Sequence, residues 1–369
     1  MVRAETDLWS QLATTEKRVV LYGTGNGAEK LLSVLSERNI PVAGVFSSDG
    51  FSKGKDFCGL RVQSFDELRA TYGKENLVVL LAFGSSRPDV MAQIEALEGQ
   101  VELYAPDLPA FGDTLFDKAF YHAHLSELEQ ARALLSDALS RTIFDEVIAY
   151  KLSGKLEHLR HAISDRAEDF ATFVCPDELR VAVDLGAYDG DTVRELLSLR
   201  TKGSPLTVYA LEPDPKSFAK LEAYAKEETR AKVSPICVCA WDKEETLAFD
   251  GSHNRNASVL SARSHVLMGR PAKSLAVAAK RLDDLVGNEP IDYIKFDVEG
   301  SEKEAIAGAK QTIEQNLPTL LVSLYHRSED LFSLPLLLKA RFPDYKGFSL
   351  RRSPGYPAWD LSLFVTKKN

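Results

Sequence analysis

The chain has 369 residues, 44% of them hydrophobic and 27% charged, which is ordinary globular usage and enough to bury two cores. The formal net charge is −9 with no Lys/Arg block, which argues against a nucleic-acid partner. No apolar run is long enough to span a bilayer and nothing at the N-terminus reads as a signal peptide, so the chain is expected to be cytoplasmic, with no membrane partner. The four cysteines, Cys58, Cys175, Cys237 and Cys239, lack metal-ligand spacing. Cys237 and Cys239 sit two apart in an apolar stretch and read as core residues on one side of a strand.

In chain order, the first third has an α/β rhythm. A strand at 18–22 leads into Gly23, Gly25 and Gly27 and then a helix through Leu31, Leu32 and Leu35. Strand-like segments follow at 41–46, 77–83 and 101–104, with a helix between Pro88 and Leu97. Parallel strands joined by helices predict a small Rossmann-like domain over 1–110. Its glycines depart from the Gly-x-Gly-x-x-Gly dinucleotide spacing, and no acid ends the strand at 42–46, where Ser47, Ser48 and Asp49 follow. An NAD-linked oxidoreductase or a sugar-nucleotide-binding protein using this turn is therefore the alternative reading.

Residues 111–170 read as a helical connector. Leu125, Leu128, Ala131, Leu134, Leu135 and Leu139 recur at intervals of three and four, and a further helix runs through Ile143, Val147, Ile148 and Leu152. Such a stripe is more often packing within the chain than a partner site, with a homo-oligomer interface as the alternative.

Residues 171–369 form a second α/β domain that carries the chemistry. An apolar run reaches Asp184, turns through Gly186 and Gly190, and gives way to a helical pattern through Val193, Leu196 and Leu197. A pyrophosphate turn offers bare N–H groups and tolerates no carboxylate beside the anion. Asp184 and Asp191 would instead welcome a cationic sulfonium and ammonium, so S-adenosylmethionine is the expected cofactor. The next strand, 206–211, ends at Glu212, where an acid accepts hydrogen bonds from a ribose diol. Strand patterns follow at 233–240, 246–249, 276–282, 291–296, 320–324, 346–350 and 361–366, the last pair suiting a sheet whose final strand is antiparallel. A polar loop at 251–264 holds Asn254, Arg255, Asn256, Ala257 and Ser258, an even choice between a cover for the site and a solvated loop.

Ligands collect outside the carboxyl ends of the strands in open α/β sheets, so Asp184, Glu212, Asp297, Glu299 and His326 should converge. Methyl transfer to a hydroxyl needs in-line positioning and a proton acceptor. His326 is the candidate base, with Asp297 and Glu299 as catalytic partners orienting a polyol and Lys295 pairing with either acid. Asp297, Glu299 and Glu302 also raise the question of Mg²⁺, but a metal is the minority reading and none is expected.

Residues 184–192, 210–214 and 294–302, with 323–327 and 359–363, together resemble the FkbM-type methyltransferases over roughly the C-terminal half to three-fifths of the chain. The Lys-x-Asp-x-Glu-Gly-x-Glu segment is the specific element. The resemblance implies an α/β fold, the class I methyltransferase Rossmann-like seven-stranded sheet, here preceded by the smaller Rossmann-like domain and the helical connector. It implies S-adenosylmethionine as donor and an oxygen acceptor on a glycan, nucleotide sugar or other natural product. By the same resemblance, Asp184, Gly186, Ala187, Tyr188, Gly190, Asp191 and Thr192 would line the methionine portion, Glu212 and Pro213 the ribose, and Ala240 and Trp241 the adenine. Asp297, Glu299 and His326 would face the acceptor.

Overall fold

The computed structural model describes residues 6–48, 54–250 and 274–368. Among these, a first, six-stranded sheet is built from β1 (Arg18–Tyr22), β2 (Val42–Phe46), β3 (Asp56–Phe57), β4 (Leu60–Gln63), β5 (Leu77–Leu81) and β6 (Glu102–Tyr104), in the order β3-β4-β2-β1-β5-β6. All pairings are parallel except β3 with β4. β5 is buried along its whole length, as the run Leu-Val-Val-Leu-Leu requires of a strand covered on both faces. The glycine turn after β1 packs the helix Asn26–Glu37 tightly on β5: a Cβ on Gly27 would come within 2.4 Å of the Ala82 carbonyl oxygen. Gly27 thus has a packing role.

The second sheet has seven strands: β7 (Val181–Leu185), β8 (Leu206–Leu211), β9 (Ala231–Ile236), then, after a small separate sheet of β10 (Cys239–Ala240), β11 (Glu245–Asp250) and β12 (Ser274–Lys280), the strands β13 (Tyr293–Phe296), β14 (Thr319–Ser323), β15 (Gly347–Arg352) and β16 (Leu361–Thr366). The order is β15-β16-β14-β13-β7-β8-β9. β16 inserts antiparallel between β14 and β15, and the other pairings are parallel. This is the expected class I methyltransferase sheet with its antiparallel final strand. The pattern at 233–240 divides: β9 stops at Ile236 and β10 belongs to another sheet. Cys237 therefore lies exposed in the break while Cys239 is buried, and the two do not share a core face.

The helix Ala138–Ser153 joins the two sheets. Ile143, Phe144 and Val147 enter the core with β13, β14 and β15, whereas Tyr150 enters the core on one face of the first sheet. Leu139 falls off the predicted stripe and is 40% exposed, because the preceding helix, Leu125–Leu134, ends and a new one begins at the Asp137 cap. Asp137 accepts from the Ser140 backbone N–H at 2.7 Å and pairs with Arg351 Nη2 of β15 at 3.2 Å, so one carboxylate caps the helix and ties it to the sheet. No helix among the described residues is long and apolar enough to cross a membrane. The polar loop 251–264 and Asp49 lie outside the described residues.

The double duty of Asp137 sets a stability test. Asp137→Ala is expected to lower the unfolding free energy by about 1–3 kcal/mol in urea titrations, and Asp137→Asn, which keeps the cap, by less.

Candidate active site

A cavity of about 330 Å³ opens at the carboxyl ends of β7, β8 and β13. It is lined by Gly186, Tyr188, Asp191, Thr192, Glu212, Pro213 and Asp214, together with Val238, Cys239 and Ala240. Asp297, Glu299, Ser301 and Tyr325 line it as well. The turn after β7 brings the backbone to the cavity. Gly186 has φ +86°, and a Cβ there would come within 1.9 Å of the Asp297 carbonyl oxygen. Only a residue without a side chain lets the turn after β7 run against the end of β13.

Glu212 is held at both oxygens by backbone: Oε2 accepts from Tyr188 N–H at 2.9 Å and Oε1 from Asp214 N–H at 2.8 Å. Each oxygen keeps a second lone pair for a ligand hydroxyl. Burial pushes its carboxyl up to about 7 against the lowering pull of those two hydrogen bonds. Burial likewise raises Asp191, with Lys295 opposing. Carboxyls displaced upward in this way gain from a bound cation.

Asp184 stands behind this wall. It is 5% exposed, accepts a short hydrogen bond from Thr192 Oγ1, and pairs with the Lys295 ammonium at 3.0 Å, its neighbour in the β7–β13 register. Lys295 also donates to the Gly186 carbonyl at 3.2 Å and lies 3.5 Å from Asp297 Oδ2. Burial alone would depress the lysine, but Asp184 and Asp297 raise it and keep it charged. The acid foreseen as a direct donor contact is thus neutralised from behind and orients Thr192 instead. Ala187 is fully buried, Gly190 caps the helix Asp191–Ser198, and Trp241 donates from Nε1 to Glu245 at 2.7 Å; none of the three lines the cavity.

Asp297 and Glu299 face the cavity, whereas His326 lies beneath them with 0% exposure. Its Nδ1 is 2.9 Å from Glu302 Oε1. Burial would depress the imidazole, but the carboxylates of Glu302 and Glu299 push it up to about 10. In this state it carries a proton and lies out of reach of a substrate in the cavity. Asp297 is held low despite its burial by Lys295 and His326, and its Oδ1 accepts from the Tyr325 hydroxyl at 3.0 Å.

The first half of the chain completes the wall: a part in holding the acceptor was expected of it, but not the residues that line the cavity. Gly84, Ser85 and Ser86, just past β5, line the cavity together with Tyr356, Trp359 and Asp360 of the β15–β16 connection. Ser85 and Tyr356 pair backbone to backbone in both directions, at 2.8 and 3.0 Å, and the Trp359 ring packs on Gly84. Phe111 N–H donates to the His326 carbonyl at 2.8 Å, and the Arg327 guanidinium lies 4.2 Å from the Phe111 ring centroid. The rule that placed a site at the carboxyl ends of the second sheet applies equally to β5, and was the signal available for Ser85 and Ser86. The turn at Gly23 and Gly25 is not part of the cavity wall.

Residues 184–345 match the family described as the methyltransferase FkbM domain. The chain carries an FkbM methyltransferase domain. Over 174 residues it is 26% identical to the 2-O-methyltransferase NoeI of Sinorhizobium fredii (strain NBRC 101917 / NGR234), a match covering 43% of this chain and 68% of that protein. The crystal structure of the methyltransferase FkbM from Methylobacillus flagellatus KT shares its fold, with TM-score 0.68 and 20% identity over 95% of this chain and 90% of that one. The protein is a methyltransferase, and these likenesses do not favour the oxidoreductase alternative. The cofactor that goes with the domain is S-adenosylmethionine. The residues present fit it: a turn kept bare at Gly186, lone pairs on Glu212, and an acidic lining suited to a cation.

The close approach at Gly186 makes a sharp test. Gly186→Ala is expected to lower stability by about 2–4 kcal/mol and to displace the end of β13, read as a lower melting temperature and weaker S-adenosylhomocysteine binding in titration calorimetry.

Proposed function

We propose that this methyltransferase moves the methyl group of S-adenosylmethionine onto a hydroxyl of a glycan, nucleotide sugar or related natural product. The observation that carries the reading is one cavity joining the Gly186–Glu212 side to the carboxylates of Asp297 and Glu299. In it Glu212 would take the ribose diol, Asp191 and Thr192 the methionine end, and Ala240 the adenine side. The similarity to a protein named as a 2-O-methyltransferase supports oxygen as the acceptor atom. The rest of the lining also suits a polyol: Ser85, Ser86 and Asp360 offer hydrogen bonds, and Trp359, 40% exposed, offers an aromatic face.

Transfer from a sulfonium needs an acceptor oxygen held in line and its proton drawn away. Asp297 and Glu299 are placed to accept from that hydroxyl. His326 and Lys295 act through them, as buried cations that position the two carboxylates. The four cysteines are all free thiols, which fits a reducing, cytoplasmic compartment.

A labelled-methyl screen against nucleotide sugars and polysaccharide fragments tests the class. Label in a base-stable ether is expected; label on nitrogen or carbon, or none with any hydroxyl acceptor, would overturn it. Glu299→Gln should lower kcat by about 10²-fold or more while leaving S-adenosylhomocysteine affinity nearly unchanged.

The ribose contact predicts a pH profile. Glu212 is protonated below about 7 and accepts from both hydroxyls only when ionised. S-adenosylhomocysteine affinity should therefore rise about tenfold from pH 6 to pH 8, and Glu212→Gln should leave it weak and flat across that range.

A further inference from the structure

Among the described residues, Trp359 is the one large hydrophobic side chain that is both exposed and part of the cavity lining. Apolar surface left facing water inside a cavity is surface that a ligand can cover. The loop that carries the ring is fixed by three contacts. Ser85 and Tyr356 pair through their backbones, the Tyr356 hydroxyl donates to Glu95 Oε1 at 2.7 Å, and the buried Arg352 guanidinium donates to the Gly355 carbonyl. The same guanidinium donates to the Leu159 and Ala162 carbonyls at 2.8 and 3.3 Å, which ties the loop to the helical connector. An aromatic face held in place before binding loses little freedom when a ligand covers it.

Gly84 sets where the ring lies. A Cβ there would come within 2.1 Å of the Trp359 ring, and the glycine has no left-handed φ, so it serves the space and not the turn. The surroundings are polar. Ser85 and Ser86 follow the glycine, Asp360 follows Trp359, and all three line the cavity. A flat apolar face flanked by hydrogen-bonding groups matches a pyranose ring. The C–H groups on one side of such a ring carry partial positive charge and meet the negative face of an indole, while its hydroxyls project from the edge. An open-chain polyol has the hydroxyls without the face, and a planar aromatic molecule has the face without the hydroxyls.

We propose that Gly84 and Trp359 form a sugar subsite that seats the apolar face of a pyranose ring of the acceptor, with Ser85, Ser86 and Asp360 holding its hydroxyls. The subsite rests on the reading of this cavity as the acceptor site, and it narrows the acceptor to one that carries a pyranose. Gly84, Ser85 and Ser86 follow β5 of the first sheet, whereas Trp359 and Asp360 belong to the β15–β16 connection of the second. Acceptor choice is therefore made where the two halves of the chain meet.

Tryptophan fluorescence of the full chain reads the subsite directly. Trp359 is one of three tryptophans, and the wild-type signal minus that of Trp359→Phe isolates it. Methyl β-glucopyranoside, methyl β-galactopyranoside and methyl α-mannopyranoside serve as probes, with open-chain sorbitol as the control. A saturable change in the Trp359 signal with at least one pyranoside at millimolar concentration, and none with sorbitol, is expected. In transfer to the hydroxyl acceptor found by the labelled-methyl screen, Trp359→Ala should raise KM at least about tenfold with kcat within about threefold. Gly84→Ala displaces the ring without removing it and should raise KM as well, while Trp359→Phe recovers most of the wild-type value. S-adenosylhomocysteine affinity, unchanged throughout, reports folding; Trp359→Ala, at an exposed position, carries the test if Gly84→Ala does not fold. A signal that no pyranoside alters, an equal response to sorbitol, or a KM that Trp359→Ala leaves unchanged would overturn the subsite while the methyltransferase reading stands. A screen that labels no hydroxyl acceptor sinks the hydroxyl reading instead, and the fluorescence titration then decides the subsite alone.

Discussion

The buried ammonium of Lys295 is the interaction on which the site depends. It lies 3.0 Å from Asp184 and 3.5 Å from Asp297, and donates to the Gly186 carbonyl. One cation thereby joins the end of β7, the turn beside the proposed donor position, and the carboxylate proposed to face the acceptor. Breaking one side of such a buried pair leaves an uncompensated charge, which costs far more than the pair gains over an apolar replacement. The geometry of both substrate sides is therefore set by a residue that touches neither reacting group.

The cavity beside that cation collects an excess of carboxylates: Asp191, Glu212, Asp214, Asp297, Glu299 and Asp360. Several have pKa values raised by burial, Glu212 and Glu299 up to about 7. A lining of this kind suits the positive charge of a sulfonium donor. The first half of the chain is tied to the same site by the paired backbone of Ser85 and Tyr356 and by the Phe111 N–H on the His326 carbonyl.

Much of this was legible in the residues. The glycine turn after β7, the acid ending β8 and the acids after β13 mark strand ends by local chemistry, and local chemistry is what a single sequence displays. The antiparallel final strand was expected from the C-terminal strand pair, whereas the helix break at Asp137 was not, since the apolar stripe was read through it to Leu139. Pairing across the sheet was less visible: that Lys295 would take Asp184 depends on the β7–β13 register, and that His326 would lie under Asp297 depends on the Glu302 helix. The wall formed by Ser85 and Trp359 joins positions some 270 residues apart through the docking of the first sheet on the β15–β16 connection, and no spacing along the chain encodes it. The split between Cys237 and Cys239 is a smaller case of the same limit, since alternation holds only while a strand continues.

A crystal structure of the chain soaked with S-adenosylhomocysteine tests the central claim most directly. The account predicts the ribose diol on Glu212 and the sulfur turned toward the wall formed by Asp297 and Glu299. A ligand absent from the cavity, or bound with its ribose away from Glu212 and its sulfur facing solvent, would contradict it.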